Sequence, residues 1–134
     1  MNDPQRIPIT RDADIVMARQ AGRALAAQLG FKGSDLALIA TAISEIARNI
    51  VVYAQRGEID LSVAEEGDRR GIAVVGRDQG PGIPNVEQAM RDGFSTGGSL
   101  GLGLPGARRL MDDFEIESQV GIGTIVRMRK WIPR

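Results

Sequence analysis

Glu45 and Asn49 stand four residues apart in the run "TAISEIARNIVVYA", and Thr41 stands four before Glu45. Side chains at that spacing share one face of a helix. A carboxylate there can take a proton or orient a nucleophile, and an amide carbonyl can serve as an oxygen ligand for a hard cation such as Mg²⁺. Further on, "DQGPGIP" puts Asp78 at the end of an apolar run, with Gly80 and Gly82 close behind. A carboxylate held at a strand end can accept a hydrogen bond from an exocyclic amine, and glycines let a flat ring approach the backbone. In "GFSTGGSLGLGLPGARRLMDDF", Gly97, Gly98, Gly101 and Gly103 can turn successive N–H groups toward an anion. The helix expected from about Leu104, with Pro105 in its first turn, would add its positive end. Thr124, in "GIGT", places a short hydroxyl beside a tight turn. Each feature alone also fits an ordinary helix face, turn or surface loop.

The stretch "GLGLPG" satisfies G-x-G-x-x-G letter for letter. A dinucleotide fingerprint must follow a strand directly and be continued by βαβ units. Here the glycines follow a polar loop, and what comes after reads as one helix and a hairpin. A Walker A loop fails as well, because no Gly-Lys-Ser/Thr follows.

The elements that must position these residues can be read from periodicity. Residues 6–10, "RIPIT", form a short edge strand, since Pro8 bars a central one. A helix spans about 12–29, with Gly30 as its stop. Ser34 caps a second helix that ends near Gly57, whose apolar stripe is Leu36, Ile39, Ile43, Ile46, Ile50 and Tyr53. Thr41, Glu45 and Asn49 lie opposite that stripe beside Leu38, Ala42 and Val52, a half-apolar setting that reads as a lined cavity. Two strands, "EIDLSVAEE" and "GIAVVGRD", flank the turn "GDRR". A short helix from Asn85, the glycine run, a helix over about 104–113 and a final hairpin around "GIG" complete the order. Paired helices and hairpins favour an α+β two-layer sandwich.

Composition narrows the chemistry. The 134 residues, 43% hydrophobic and 25% charged, fit one globular domain over 1–134. Lys+Arg and Asp+Glu balance at 17 each, so no net field draws nucleic acid or acidic lipid. The basic residues Arg127, Arg129, Lys130 and Arg134 read as a solvated face. Cysteine and histidine are absent, which excludes thiol chemistry, a Ser-His-Asp triad and the usual zinc sites. The start, "MNDPQRIPIT", has no apolar signal core, and the expectation is a cytoplasmic protein without membrane attachment.

Taken in order, Glu45-x-x-x-Asn49, Asp78-x-Gly80-x-Gly82, "GGSLGLG" and Gly123-Thr124 resemble the motifs of the GHKL ATP-binding superfamily. That superfamily holds gyrase-type ATPases, histidine-kinase catalytic domains and anti-sigma-factor serine kinases. The resemblance covers about residues 7–131, leaving no expected room for a histidine-bearing dimerisation domain or a transducer. The likeness is greatest to the switch serine/threonine kinases of the bacterial stressosome. It implies a Bergerat-type α/β sandwich, with a mixed sheet and helices on one face. It implies ATP and Mg²⁺ as cofactors, Glu45 as general base or as the group orienting the acceptor hydroxyl, and Asn49 as the Mg²⁺ ligand. Asp78 would bind the adenine amine, Gly80, Gly82 and Ile83 would shape the base pocket, and Thr124 would complete it. Residues 91–103 would be the ATP lid, with nucleotide contacts at Gly97, Gly98, Leu100, Gly101, Leu102 and Gly103. The implied partners are a STAS-domain protein, phosphorylated on serine or threonine, and a PP2C-type phosphatase that the free kinase activates. A different class of activity, an ATP-dependent anti-sigma or partner-binding module with little catalysis, is the alternative.

Two departures from the family pattern matter. Val52 stands where histidine kinases commonly carry a lysine, and "STGGSLGLG" holds no basic residue. Phosphoryl transfer depends on positioned positive charge. Arg48 and Arg91 are the candidate phosphate contacts, and without them slow turnover is expected.

Overall fold

The computed structural model describes residues 4–83, 90 and 103–133. Strand β1, Gln5–Ile9, alternates exposed and buried positions, as a two-faced edge strand should. Helix α1, Asp12–Leu29, begins with Asp12 and Asp14 in its first turn, where carboxylates complement the positive end. Asp14 also accepts hydrogen bonds from the Thr10 N–H at 2.9 Å and the Thr10 hydroxyl at 3.0 Å. The helix stops at Gly30, as the sequence predicts.

Helix α2, Ser34–Asn49, starts one position differently from the expectation. The Leu36 N–H reaches the Gly33 carbonyl at 3.3 Å, so Gly33 is the cap and Ser34 is the first helical residue. The expected single helix to Gly57 is also corrected. At Ile50 the coil widens into a π-turn over Ile50–Ala54, closed by the Gln55 N–H on the Ile50 carbonyl at 2.8 Å. The wider turn rotates later side chains away from the stripe, and Tyr53 is 44% exposed rather than in the core. Ile39, Ile43, Ile46 and Ile50 do lie in the core, as predicted. The whole segment Ser34–Ala54 has the length and apolarity of a membrane-crossing helix, yet half of it is buried within the fold.

Strands β2, Gly57–Glu66, and β3, Arg69–Asp78, form one hairpin. After helix α3, Gly103–Leu110, strands β4, Asp113–Gln119, and β5, Gly123–Trp131, form another. The five strands run in the order β1-β2-β3-β5-β4. Every pairing among them is antiparallel, which corrects the expected mixed sheet. Both hairpins reverse the chain directly, and β5 enters beside β3 in the opposite sense after α3 and β4. The expected helix from Asn85 lies outside the described residues.

Among the described residues the helices pack on one sheet face. Ile7, Ile9, Ile59, Leu61, Ile72, Val74, Val126 and Met128 point from the sheet into that layer. Helix α2 lies between α1 and α3, which explains why every residue from Ile39 to Ala47 except Thr41 is buried. Fully burying each such isoleucine or leucine contributes roughly 1.5–3 kcal/mol.

The other sheet face carries an ion-pair lattice. Asp60 is only 5% exposed and takes the Arg6 guanidinium at 2.9 Å, while Arg77 bridges it to Glu58. Arg127 pairs with Glu117, and Arg129 with Asp113 at 3.3 Å, so these two are exposed but matched. Lys130, expected on the same solvated face, is instead part-buried and donates to the Leu110 carbonyl at 3.0 Å, and Arg134 lies outside the described residues. Arg69 and Arg129 lie 4.3 and 5.4 Å from the centroid of the Trp131 ring.

Hydrogen bonding to Arg6, followed by Arg77, holds the Asp60 carboxyl below its ordinary value of 3.8, against the opposing effect of burial. A depressed carboxyl stabilises the fold above the unfolded value, and that contribution is lost as pH falls through the folded one. Asp60→Asn is therefore expected to cost about 1–2 kcal/mol at neutral pH, discounted for the exposure of Arg6. Chemical denaturation from pH 7 down to well below 3.8 should show that difference shrinking; a pH-independent gap would contradict the account.

Candidate nucleotide site

The polar residues predicted for chemistry gather in two groups, joined by the end of α2. At the first, Glu45 is 6% exposed because α3 covers its face of α2. Its Oε1 accepts the Gly103 N–H at 3.3 Å, and its Oε2 lies 3.9 Å from Arg48 Nη1. The carboxylate is thus fixed where α3 begins, with a half-exposed guanidinium beside it. Thr41, one turn earlier, is exposed, and Asn49, one turn later, is half-buried. The expected lined setting holds for Glu45 and Ala42, but its cover is a helix packed over them, and Val52 is 43% exposed.

At the second group, Asp78 ends β3, next to β5, where it pairs in register with Thr124. Its Oδ1 accepts the Gly80 N–H at 2.9 Å, and the Thr124 N–H also bonds to the carboxyl. Burial is the largest influence on Asp78 and pushes its carboxyl above 3.8, partly offset by those two N–H bonds. A partly desolvated carboxylate with lone pairs remaining is suited to accept from an amine.

The loop after Asp78 is bound on both sides. Gly80 lies against Ala54 of the π-turn so closely that an added Cβ would come within 2.6 Å of the Ala54 Cβ. Gly82, at a φ of 80°, lies on the β4–β5 turn, where a Cβ would come within 2.3 Å of the Gln119 carbonyl oxygen. The Gly121 N–H bonds the Pro81 carbonyl at 2.8 Å, and the Ile83 N–H bonds Ser118 Oγ at 2.7 Å. Ile83 packs against the core, and Thr124 is 5% exposed with its hydroxyl 2.8 Å from Ser118. The structure therefore brings together Asp78, Gly80, Gly82, Ile83 and Thr124, and separately Glu45, Arg48 and Gly103. The predicted Arg91, Gly97, Gly98, Leu100, Gly101 and Leu102 lie outside the described residues.

Ser118 escaped the sequence reading. A signal existed: in "FEIESQV", Phe114 and Ile116 lead to Ser118 on the core-facing row, a polar residue where an apolar one is expected.

The donor set can also be tested against a metal. Among the described residues no three Asp or Glu side chains cluster as a cage. The Asn49 carbonyl, with Glu45 one turn away, offers sparse oxygen ligation. That fits Mg²⁺, which keeps waters and binds mainly through phosphates.

This arrangement, a two-layer α+β sandwich with a carboxylate at a strand end and another buried beneath a helix start, belongs to a known class. The sequence profile of the histidine kinase-like ATPase domain matches residues 10–130, and the chain is a member of that family. The serine/threonine-protein kinase RsbT of Bacillus subtilis (strain 168) is 48% identical over 132 residues, covering 98% of this chain and 99% of that protein. An anti-sigma F factor of Thermoanaerobacter sp. (strain X514) is 35% identical over 121 residues, with 86% and 83% of the two chains covered. Among solved structures, the mycobacterial sensor histidine kinase MprB superposes with a TM-score of 0.58 at 17% identity, covering 96% of this chain and 97% of that one. At that identity the likeness speaks for the fold alone, and it agrees with the expected Bergerat-type architecture.

Asp78→Asn separates site from scaffold. The raised carboxyl means that the folded chain holds ionised Asp78 at a cost, relieved as pH falls through the raised value. The amide removes that cost and keeps an acceptor for Gly80, so the free chain should melt within about 3 °C of the unaltered one. ATP affinity should drop by about tenfold or more, read by titration calorimetry. Unchanged affinity would count against Asp78 as the expected acceptor for the adenine amine.

Proposed function

We propose that this chain is a serine/threonine protein kinase of a bacterial partner-switching pathway of the stressosome type. It would transfer the γ-phosphate of ATP to a serine or threonine of a STAS-domain partner in the cytoplasm and, when free, activate a PP2C-type phosphatase. The observation that carries this reading is the near-full-length likeness to RsbT, in a chain whose Glu45 carboxylate is buried and oriented beside a helix start.

The chemistry follows from the two groups. Asp78 accepts the adenine amine, with Gly80, Gly82, Ile83 and Thr124 around the base. The triphosphate runs toward Asn49 and the start of α3. Asn49 would hold Mg²⁺, which would supply positive charge to offset that of the phosphates. Glu45 takes the proton from the acceptor hydroxyl as that oxygen bonds to the γ-phosphorus. The bond from the γ-phosphorus to the bridging oxygen breaks, and ADP leaves with that oxygen. The Gly103 N–H fixes one carboxylate oxygen, and Arg48 lies near the other.

Among the described residues Val52 supplies no charge and Arg48 is shared with Glu45, so positive charge at the phosphates is scarce there. Slow turnover fits a switch, in which each transfer changes a partner's binding state. That sparse charge is the observation that favours the second reading, an ATP-dependent anti-sigma or partner-binding module with little catalysis.

A phosphotransfer assay with Mg-ATP and STAS proteins encoded beside the gene tests the proposal. The unaltered chain should label one of them, and Glu45→Gln should lower kcat by about 100-fold or more with ATP affinity nearly unchanged. No labelling by the unaltered chain, or full-rate labelling by the Gln variant, sinks the catalytic role and leaves the binding module.

A further inference from the structure

We propose that Ser118 is a positioning residue for the nucleotide base: its hydroxyl locks the loop that follows Asp78 to Thr124 and sets which way the Thr124 hydroxyl points its proton. This rests on the ATP reading above and goes beyond it, since Ser118 bonds both the loop after Asp78 and strand β5 without belonging to the four motifs.

The geometry makes Ser118 a junction. Its Oγ accepts the Ile83 N–H at 2.7 Å, stands 2.8 Å from Thr124 Oγ1 and lies 3.2 Å from the Gly123 carbonyl oxygen. A serine hydroxyl has one hydrogen and two lone pairs. In one arrangement Ser118 donates to Gly123 and accepts from both Ile83 and Thr124, which fills its capacity and leaves Thr124 Oγ1 as a pure acceptor. In the other it donates to Thr124, and the Thr124 hydrogen is released for a second acceptor. Thr124 can therefore switch between accepting and donating without moving, by a concerted rotation of two hydroxyl hydrogens. Adenine presents both an amine donor and ring-nitrogen acceptors, so such a pair can match its edge.

Ser118 is also separable from the scaffold. The Gly121–Pro81 hydrogen bond and the close seat of Gly82 on Gln119 hold the loop to the same turn independently. Removing the hydroxyl should leave the chain folded while freeing the Ile83 N–H and the Thr124 rotor. The effect belongs at the base, far along the nucleotide from the phosphates.

Titration calorimetry with Mg-ATP, Mg-GTP and Mg-tripolyphosphate reads this directly. Ser118→Ala should raise the ATP dissociation constant about 5–10-fold, reduce the preference for ATP over GTP, and leave tripolyphosphate binding within about twofold. Ser118→Thr and Ser118→Val are near-isosteric and differ by the hydroxyl, so they cover the case in which the alanine variant folds poorly. The threonine variant should bind ATP within about twofold of the unaltered chain, and the valine variant should behave like alanine. Equal ATP affinity in the threonine and valine variants, or parallel loss of ATP and tripolyphosphate binding, would overturn the role of Ser118. Failure of the unaltered chain to bind ATP would instead overturn the nucleotide reading.

Discussion

The widened turn at the end of α2 is the joint on which the site depends. Helix α2 is buried on most sides as it holds α1, α3 and the sheet together, yet it also carries the half-buried Asn49 at its end and Glu45 one turn before. Continuing as a regular helix through Ile50–Ala54 would keep Tyr53 on the core stripe. The π-turn, closed by Gln55 in a left-handed conformation at φ 72°, instead turns Tyr53 outward and lays Ala54 against Gly80. A non-glycine residue held there costs of order 1 kcal/mol. The contact it secures places the end of the helix that carries Glu45 and Asn49 directly against the loop that follows Asp78.

From that joint the two carboxylates acquire different characters. Glu45 is covered by α3 and tied to its first N–H, so its position depends on tertiary packing. Asp78 is set by strand pairing, with Thr124 opposite and Gly80 just beyond. One group is fixed by what lies over it, the other by what lies beside it. The ion-pair lattice on the far sheet face keeps β1, β2 and β3 aligned, and so bears on the site through the strand that ends in Asp78.

Much of this was legible in the sequence. Asp12 and Gly30 punctuate α1 in the expected way, and strand alternation with glycine turns marks both hairpins. The strand-end placement of Asp78 and the close seats of Gly80 and Gly82 were readable because a carboxylate at a strand end and glycines against backbone are local requirements. The π-turn was hidden, since "ARNIVVYAQ" continues a helical apolar pattern and a one-residue widening leaves no compositional trace. The burial of Glu45 was only half visible, because its cover comes from residues more than fifty positions away. Sheet direction was missed because it depends on where β5 inserts, and local patterns do not specify that. Ser118 was missed because a single serine in a strand carries no meaning until its three partners are known.

One nucleotide spanning the Asp78 group and the Glu45 group across the end of α2, as proposed, must perturb both at once. Backbone amide NMR during titration with Mg²⁺ and a non-hydrolysable ATP analogue reads this: the amides of Gly80, Ile83, Thr124 and Gly103 should shift together and saturate at one concentration. Shifts confined to one group, or centred on the cleft beside Trp131, Asp35 and Lys130 at the other end of the sheet, would contradict it.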